Sequence, residues 1–174
     1  MNQLQKGEDI MNSKRNFHVL IDTLKDTTVL SIRDTISMDN IGNLIGKVFE
    51  NIYRNGLSPT GNIKTIYYDQ NFDQNSDNDF DHNNAAIEVC IPVNRQLKTD
   101  AVSTKVLKGG LYVHTTFIGP YSEIGEAYAE LLDWINKSSY KIAGPPHDEY
   151  IKGPDSKCSH NEFVTEVYFP INKK

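Results

Sequence analysis

The sequence has few of the features that mark secreted, metal-binding or membrane-spanning proteins. Its 174 residues include only two cysteines, Cys90 and Cys158, in no Cys-x-x-Cys pair, so neither a disulfide framework nor a structural metal site is expected. No apolar run approaches the roughly 20 residues that cross a bilayer, so we expect no transmembrane helix. The N-terminus lacks the hydrophobic core of a signal peptide. We therefore expect a cytoplasmic protein without a metal or other cofactor.

A basic excess is missing as well. The 23 Asp and Glu residues outnumber the 18 Lys and Arg residues, which gives a formal net charge of −5. A surface that binds nucleic acid needs clustered cations to displace phosphate counterions, so direct nucleic-acid binding is not expected. A site for cationic or neutral small molecules fits this charge better.

The chain does contain an internal sequence repeat. Residues 88–94 read EVCIPVN and residues 166–172 read EVYFPIN, with Glu-Val, Pro and Asn at one spacing. Upstream, the dipeptide Ile41-Gly42 recurs as Ile124-Gly125. A repeat of this length indicates that the fold is built from two copies of one unit.

The domain organisation follows from this repeat. We predict a flexible N-terminal arm over residues 1–16 and a single domain over residues 17–174. Within the domain, repeat 1 spans about 28–94 and repeat 2 about 108–172. Repeat 1 carries an additional Asp/Asn-rich segment, 69–84, which is predicted to be a solvated loop.

Both copies show the pattern of a β-α-β-β unit. In each, a strand-like segment precedes apolar residues at spacings of three and four, which predict an amphipathic helix, and two further strand-like segments follow. The predicted order is a short strand 17–21 before the repeats, strand 29–36, helix 41–52, strands 65–68 and 85–93, then strand 110–118, helix 124–135 and strands 148–152 and 162–171. The expected fold class is α+β, with a mainly antiparallel sheet, two main helices and a cleft at the pseudo-two-fold seam.

Glu166 is the first candidate site residue. Strand alternation places it on one face with Val164 and Tyr168. A carboxylate among apolar and aromatic side chains is costly unless a cation or hydrogen-bond donors meet it, which predicts cation recognition or proton transfer. An ion pair at a solvent-facing position is an equally good explanation of Glu166. The counterpart of Glu166 in repeat 1 is Glu88, and its presence favours a structural role that both glutamates share.

Aromatic residues concentrate in the second half of the chain. Tyr112, Tyr121, Trp134, Tyr150 and Tyr168 all lie there. Aromatic walls around one carboxylate suit lipophilic cations, because ring faces and a counter-charge both attract them. Core packing is the alternative explanation for any single ring.

Two apparent metal patterns have simpler explanations. The segment from Asp77 to Glu88 spaces its carboxylates like a calcium loop, but His82 stands where that loop needs glycine. His147, Cys158 and His160 are possible metal ligands, but His147 and Cys158 are expected on separate loops and a fourth ligand is missing. No metal site is predicted.

The second half matches a family pattern in order and spacing. The matching pieces are residues 112–117, Gly119-Pro120-Tyr121, the helix ending at 131–135, Gly144-Pro145-Pro146, Glu149-Tyr150 and the final strand 165–171. Over roughly 27–172 the chain resembles the GyrI-like (gyrase-inhibitor-like) effector-binding domain, which is also found C-terminal to multidrug-responsive bacterial regulators. The resemblance implies a duplicated β-α-β-β architecture with a ligand cleft at the seam.

The resemblance also implies roles for individual residues. It makes Glu166 the carboxylate at the base of the drug pocket, with Tyr150, Tyr112 and Trp134 as ring neighbours, although Trp134 also fits a helix core position. Tyr168 and Tyr121 complete the predicted ligand-binding set.

Three classes of function follow. The leading hypothesis is a stand-alone module that senses or sequesters amphipathic, cationic aromatic compounds. The second is a hydrolase that detoxifies reactive cyclopropane-type genotoxins with Glu166 and Tyr150, as some proteins resembling this domain do. The third is a gyrase-inhibitory interaction protein, with gyrase or a separate regulator as its partner. No DNA-binding domain accompanies the module in this sequence, so transcriptional control by this chain alone is not expected.

Overall fold

The computed structural model describes residues 15–69 and 80–174. Residues 1–14 of the predicted arm, and the centre of the predicted loop 69–84, lie outside the described residues. The division into an arm and one domain therefore stays a prediction. No helix in the described ranges is long and apolar enough to cross a membrane.

The predicted α+β class is confirmed. Within residues 15–69 and 80–174 the two helices are α1 (Ile41–Arg54) and α2 (Gly125–Lys137). The strands of the same part are β1 (Leu20–Leu24), β2 (Thr27–Ile36), β3 (Lys64–Tyr67), β4 (Ala85–Pro92), β5 (Lys105–Leu107), β6 (Gly110–Ile118), β7 (Tyr140–Ile142), β8 (His147–Lys152) and β9 (Val164–Lys173). Of these, β5 and β7 were not predicted, because three residues are too few to show a strand pattern.

All the strands join one antiparallel sheet. Its order is β1-β6-β9-β8-β3-β4-β2-β5, and β7 pairs with the C-terminal end of β9. The order β6-β9-β8 in the second half corresponds to β2-β4-β3 in the first, and β8 pairs with β3 where the halves meet. This correspondence is consistent with the predicted duplication, which remains an interpretation.

The two helices pack their apolar stripes against the same face of the sheet. From α1, Leu44, Val48 and Ile52 are buried in a core that includes Ile87 and Val89 of β4. The stripe follows the spacing of three and four that the sequence shows, so burial of this face stabilises the helix.

The stripe of α2 is built in the same way. Ala127, Leu131 and Ile135 are buried with Val167 and Phe169 of β9. Successive strand residues point to opposite faces. Because the odd-numbered residues of β9 face the helices, its even-numbered residues face away from them.

Candidate functional site

A cavity of about 1250 Å³ lies between the first turns of the two helices and the central strands of the sheet. Its floor is formed by Tyr67 of β3 and by Asp148 and Tyr150 of β8. Ile45 of α1 and Leu132 of α2 line its walls. The volume exceeds the roughly 300–1,000 Å³ of a drug-sized pocket, so a bulky aromatic ligand can enter.

Three glycines line the cavity. Gly42 and Gly125 lie in the first turns of α1 and α2 and line the cavity, and a Cβ added at either would meet no atom within 4 Å. At Gly153 a Cβ would lie 2.9 Å from the Tyr121 hydroxyl oxygen. Gly153 therefore permits the close approach of Tyr121 to the rim.

Asp148 is the most unusual group of the floor, because it is a carboxylate with only 2 % of its surface exposed. The hydroxyl of Tyr128 donates to Oδ1 at 2.7 Å, and the hydroxyl of Tyr67 donates to Oδ2 at 3.0 Å. Burial raises the pKa of Asp148 to about 7, although the two phenol donors lower it. Among the described residues no Lys, Arg or His forms an ion pair with this carboxylate.

The surrounding tyrosines act as neutral donors and as apolar surface. Burial raises the pKa of Tyr67 and of Tyr128 well above the usual value, so both hydroxyls keep their protons. The Tyr150 hydroxyl donates to Thr65 Oγ1 at 3.0 Å, and the Tyr150 ring lies 5.6 Å from that of Tyr121 in an edge arrangement.

Acidic residues outnumber basic ones around the cavity. Besides Asp148, the described lining residues include the exposed carboxylates Asp39, Asp69 and Asp155, with His82 as the basic residue. Fixed negative charges around a cavity with low-dielectric walls raise the local concentration of cations.

The structure separates the predicted site residues. Tyr150 and Tyr121 line the cavity. Glu166 and Tyr168 project from the opposite face of the sheet, where the Tyr168 ring stacks on His114 and on His147, with centroids 5.0 and 4.8 Å away.

Tyr112 and Trp134 are also outside the cavity lining. The Tyr112 ring contacts that of His147 at 5.4 Å, on the face that carries Glu166. Trp134 stacks on Tyr140 at 5.9 Å beside the core of α2, as in the alternative given above for it.

The Glu166 carboxylate is held by neighbouring strands. Thr116 Oγ1 donates to Oε2 at 2.7 Å, and His114 Nδ1 contacts Oε1. His114 Nε2 lies 2.8 Å from Asp22 of β1, so the group connects three strands. These contacts occupy the carboxylate within the protein, and the ligand-binding role of Glu166 stays a prediction.

Asp148, Tyr67 and Tyr128 were not predicted from the sequence. The sequence carries one signal: residues 148–152 are predicted to form a strand, the family resemblance implies that Tyr150 lies in the pocket, and alternation puts Asp148 on the face of Tyr150. Tyr128 gave no such signal, because a tyrosine in an apolar helix stripe is typical of core packing.

Comparison with known proteins identifies relatives of the fold. The model of the GyrI-like small molecule binding domain matches residues 18–172. The crystal structure of the EcmrR C-terminal domain superposes with a TM-score of 0.79 at 23% identity, covering 91% of this chain and 99% of that one. In the EcmrR–DNA complex, at 22% identity and a TM-score of 0.79, the match covers 91% of this chain but only 58% of the EcmrR chain. This chain therefore spans little more than half the length of that relative.

Two more distant structures share the fold. A hydrolase from Listeria innocua has a TM-score of 0.63 at 13% identity, covering 88% of this chain and 91% of that one. SAV2435 bound to tetraphenylphosphonium has a TM-score of 0.55 at 12% identity, covering 89% and 94%. At these identities the structures establish the fold alone. No curated protein matches the sequence.

Proposed function

We propose, since the chain belongs to the GyrI-like family of small-molecule-binding domains, that its cavity binds amphipathic aromatic cations for sensing or sequestration. The observation that carries the proposal is the Asp148 carboxylate, buried at the cavity floor with phenol donors and without an ion-pair partner among the described residues.

The physical reason is the cost of that burial. A carboxylate removed from water without a counter-charge destabilises the fold, and a cationic ligand supplies the missing charge. The rings of Tyr121 and Tyr150 can contact the same ligand. A cation over an aromatic face gains about 0.5–2 kcal/mol, and hydrophobic burial of the ligand rings adds to it.

The test compares two carboxylates on opposite faces of the sheet. Tetraphenylphosphonium is a suitable probe, because it is a permanent aromatic cation and one structural neighbour was solved with it. We expect Asp148→Asn to weaken its binding at pH 8 by at least about tenfold, since each tenfold corresponds to 1.4 kcal/mol and a buried charge pair contributes more than that. Isothermal titration calorimetry measures the affinity.

Glu166→Gln is the matched control. It removes one charge of the same sign from the face that the cavity does not reach, so we expect wild-type affinity. The opposite result, a large loss with Glu166→Gln and none with Asp148→Asn, would refute the role of Asp148 and support the prediction for Glu166. Triphenylphosphine oxide, which is neutral and of similar shape, should bind the Asn variant at pH 8 at least as well as the wild type.

A second candidate function is hydrolysis of reactive cyclopropane-type compounds. It is favoured by the pKa of Asp148, which burial raises to about 7, because a carboxyl group near neutrality can both donate and accept a proton. The gyrase-inhibitory and separate-regulator hypotheses have no such specific support among the described residues and stay predictions from the resemblance.

Mass spectrometry distinguishes hydrolysis from binding. An enzyme consumes the electrophile with time, and Asp148→Asn abolishes consumption while binding persists. Saturable binding with no consumption, in wild type and variant alike, would eliminate the hydrolase.

A further inference from the structure

The buried carboxylate of Asp148 is faced by hydrogen-bond donors and not by charges. Tyr67 contacts it from β3 and Tyr128 from α2, and both keep their protons because burial raises the pKa of each hydroxyl well above the usual value. Tyr150 from its own strand and Tyr121 from the turn before α2 complete the phenols around it. Burial also raises the pKa of Tyr150 and of Tyr121, so these phenols are neutral near pH 7.

The ionisable groups elsewhere around the cavity are solvated. Asp39, Asp69, Asp155 and His82 are exposed at its edge, where solvent and salt screen them. His147 precedes Asp148 in the chain but faces the other side of the sheet, and burial lowers its pKa to about 3, so it stays neutral. Asp148 is therefore the buried cavity group of the described residues that can change charge near neutral pH.

We propose that this cavity exchanges a proton for a cation: a permanent cation that binds beside Asp148 displaces the carboxyl proton to solvent, whereas a neutral ligand with an acceptor oxygen binds the protonated acid. This proposal rests on the proposed function and adds the way in which the site is regulated. In the exchange, the O–H bond of the Asp148 carboxyl breaks, the proton passes to buffer, and the carboxylate remains as the partner of the bound cation.

The two ligand classes select opposite protonation states. A cation in contact favours the charged carboxylate and lowers its pKa. A neutral acceptor favours the protonated form, because that form alone presents an O–H donor. Since burial raises the pKa of Asp148 to about 7, the protonated and ionised forms are both populated near neutral pH. Each ligand therefore meets some protein molecules in the protonation state that it binds.

The predicted consequence is an opposite pH dependence for two ligands of similar shape. Affinity for tetraphenylphosphonium should rise about tenfold per pH unit below the pKa of Asp148 and reach a plateau above it. Affinity for triphenylphosphine oxide should be constant below that pKa and fall above it. A purely hydrophobic cavity would give two parallel, flat profiles.

The experiment is isothermal titration calorimetry of the full chain at pH 6 and pH 8.5, in pairs of buffers that differ in ionisation enthalpy. For tetraphenylphosphonium we expect release of about one proton at pH 6 and almost none at pH 8.5. Triphenylphosphine oxide should release none at pH 6. Cation binding without proton release at pH 6 would overturn the proposal.

Variants assign the proton to its group. Asp148→Asn should abolish proton release and flatten the pH dependence, and Glu166→Gln should preserve both. Tyr67→Phe removes one donor to the carboxylate, so the midpoint of the pH profile should move upward while proton release persists. Because Tyr67→Phe keeps the carboxylate, it tests the proposal even if the Asn variant does not fold. An unchanged midpoint would contradict Asp148 as the source.

Failure of the proposal is distinct from failure of the proposed function. If the cation binds with an Asp148-dependent affinity but releases no proton, the exchange is wrong and the cation site stands. If neither probe binds, or if Asp148→Asn leaves cation affinity unchanged at pH 8.5, the proposed function itself fails.

Discussion

At the scale of single residues, Asp148 is a buried carboxylate that the sheet positions although its charge does not stabilise the fold. Both its oxygens accept hydrogen bonds from tyrosines that lie on different elements, β3 and α2. Those bonds reduce the cost of burial but supply no counter-charge. A group that violates the usual rules of burial is typical of a functional site, because its cost is offset when the ligand is bound.

This cost predicts how stability depends on pH. The pKa of Asp148 is higher in the fold, about 7, than its ordinary value of 3.8. Between these values the folded state binds more protons than the unfolded state, so stability falls as pH rises from about 4 to about 7. We expect Asp148→Asn to be more stable than the wild type at pH 8, by up to about 4 kcal/mol, and the difference to close near pH 4. Urea denaturation at both pH values measures it.

The control for this prediction is Glu166→Gln. Its carboxylate is bonded to Thr116 and His114, so we expect this variant to be no more stable than the wild type at pH 8. If Asp148→Asn is less stable than the wild type at pH 8, the ionised carboxylate has a stabilising partner and the account of its burial is wrong.

At the scale of elements, α2 serves the core and the cavity with adjacent residues. Leu131 is fully buried against the sheet, whereas Leu132 lines the cavity. Because an α-helix has 3.6 residues per turn, these consecutive side chains point in different directions, one to the core and the other to the cavity. Gly125, at the beginning of the helix, also lines the cavity.

Leucine-to-alanine changes at these neighbouring positions should therefore have different effects. Leu131→Ala leaves a void in the core and should cost about 2–5 kcal/mol of unfolding free energy. Leu132→Ala removes a partly exposed side chain, so it should cost less but weaken binding of tetraphenylphosphonium. Denaturant unfolding and calorimetry measure the two effects. Equal stability losses combined with unchanged ligand affinity would show that Leu132 does not form the wall.

The repeated strand motif also acquires a physical meaning at this scale. Glu88 accepts hydrogen bonds from Ser31 at 2.6 Å and from Tyr68 at 2.7 Å, as Glu166 does from its own neighbours on the same sheet face. Both glutamates therefore join their strand to other parts of the sheet.

Gly61 and Gly144 are 83 positions apart, as Ile41 and Ile124 are, and each lies beside the proline of the repeated strand motif. A Cβ at Gly61 would lie 3.1 Å from Pro92, and one at Gly144 would lie 3.4 Å from Pro170. The repeat in the sequence thus corresponds to matched packing around the prolines of β4 and β9. It does not correspond to the cavity.

At the scale of the whole molecule, the sequence predicts the α+β class, the two helices and the antiparallel sheet. These follow from local periodicity, which Ile41 to Ile52 and the alternation of residues 164–171 show clearly. The face of Glu166 could not be predicted in that way. Alternation separates Glu166 from Val167, but only the packing of α2 on Val167 decides which of them faces the helices.

The cavity is likewise a property of the assembled chain. It depends on the gap between α1 and α2 above the junction of β3 and β8, and no local pattern encodes that gap. Tyr67 and Asp148 are 81 positions apart in the chain, so their hydrogen bond is visible only in the fold.

A crystal structure of the protein with tetraphenylphosphonium would show directly whether the cation binds beside Asp148. We expect the cation in the cavity between the first turns of α1 and α2, with its phosphonium centre near the Asp148 carboxylate and its rings against Tyr121 and Tyr150. A ligand bound on the opposite face of the sheet beside Glu166, with the cavity empty, would contradict it.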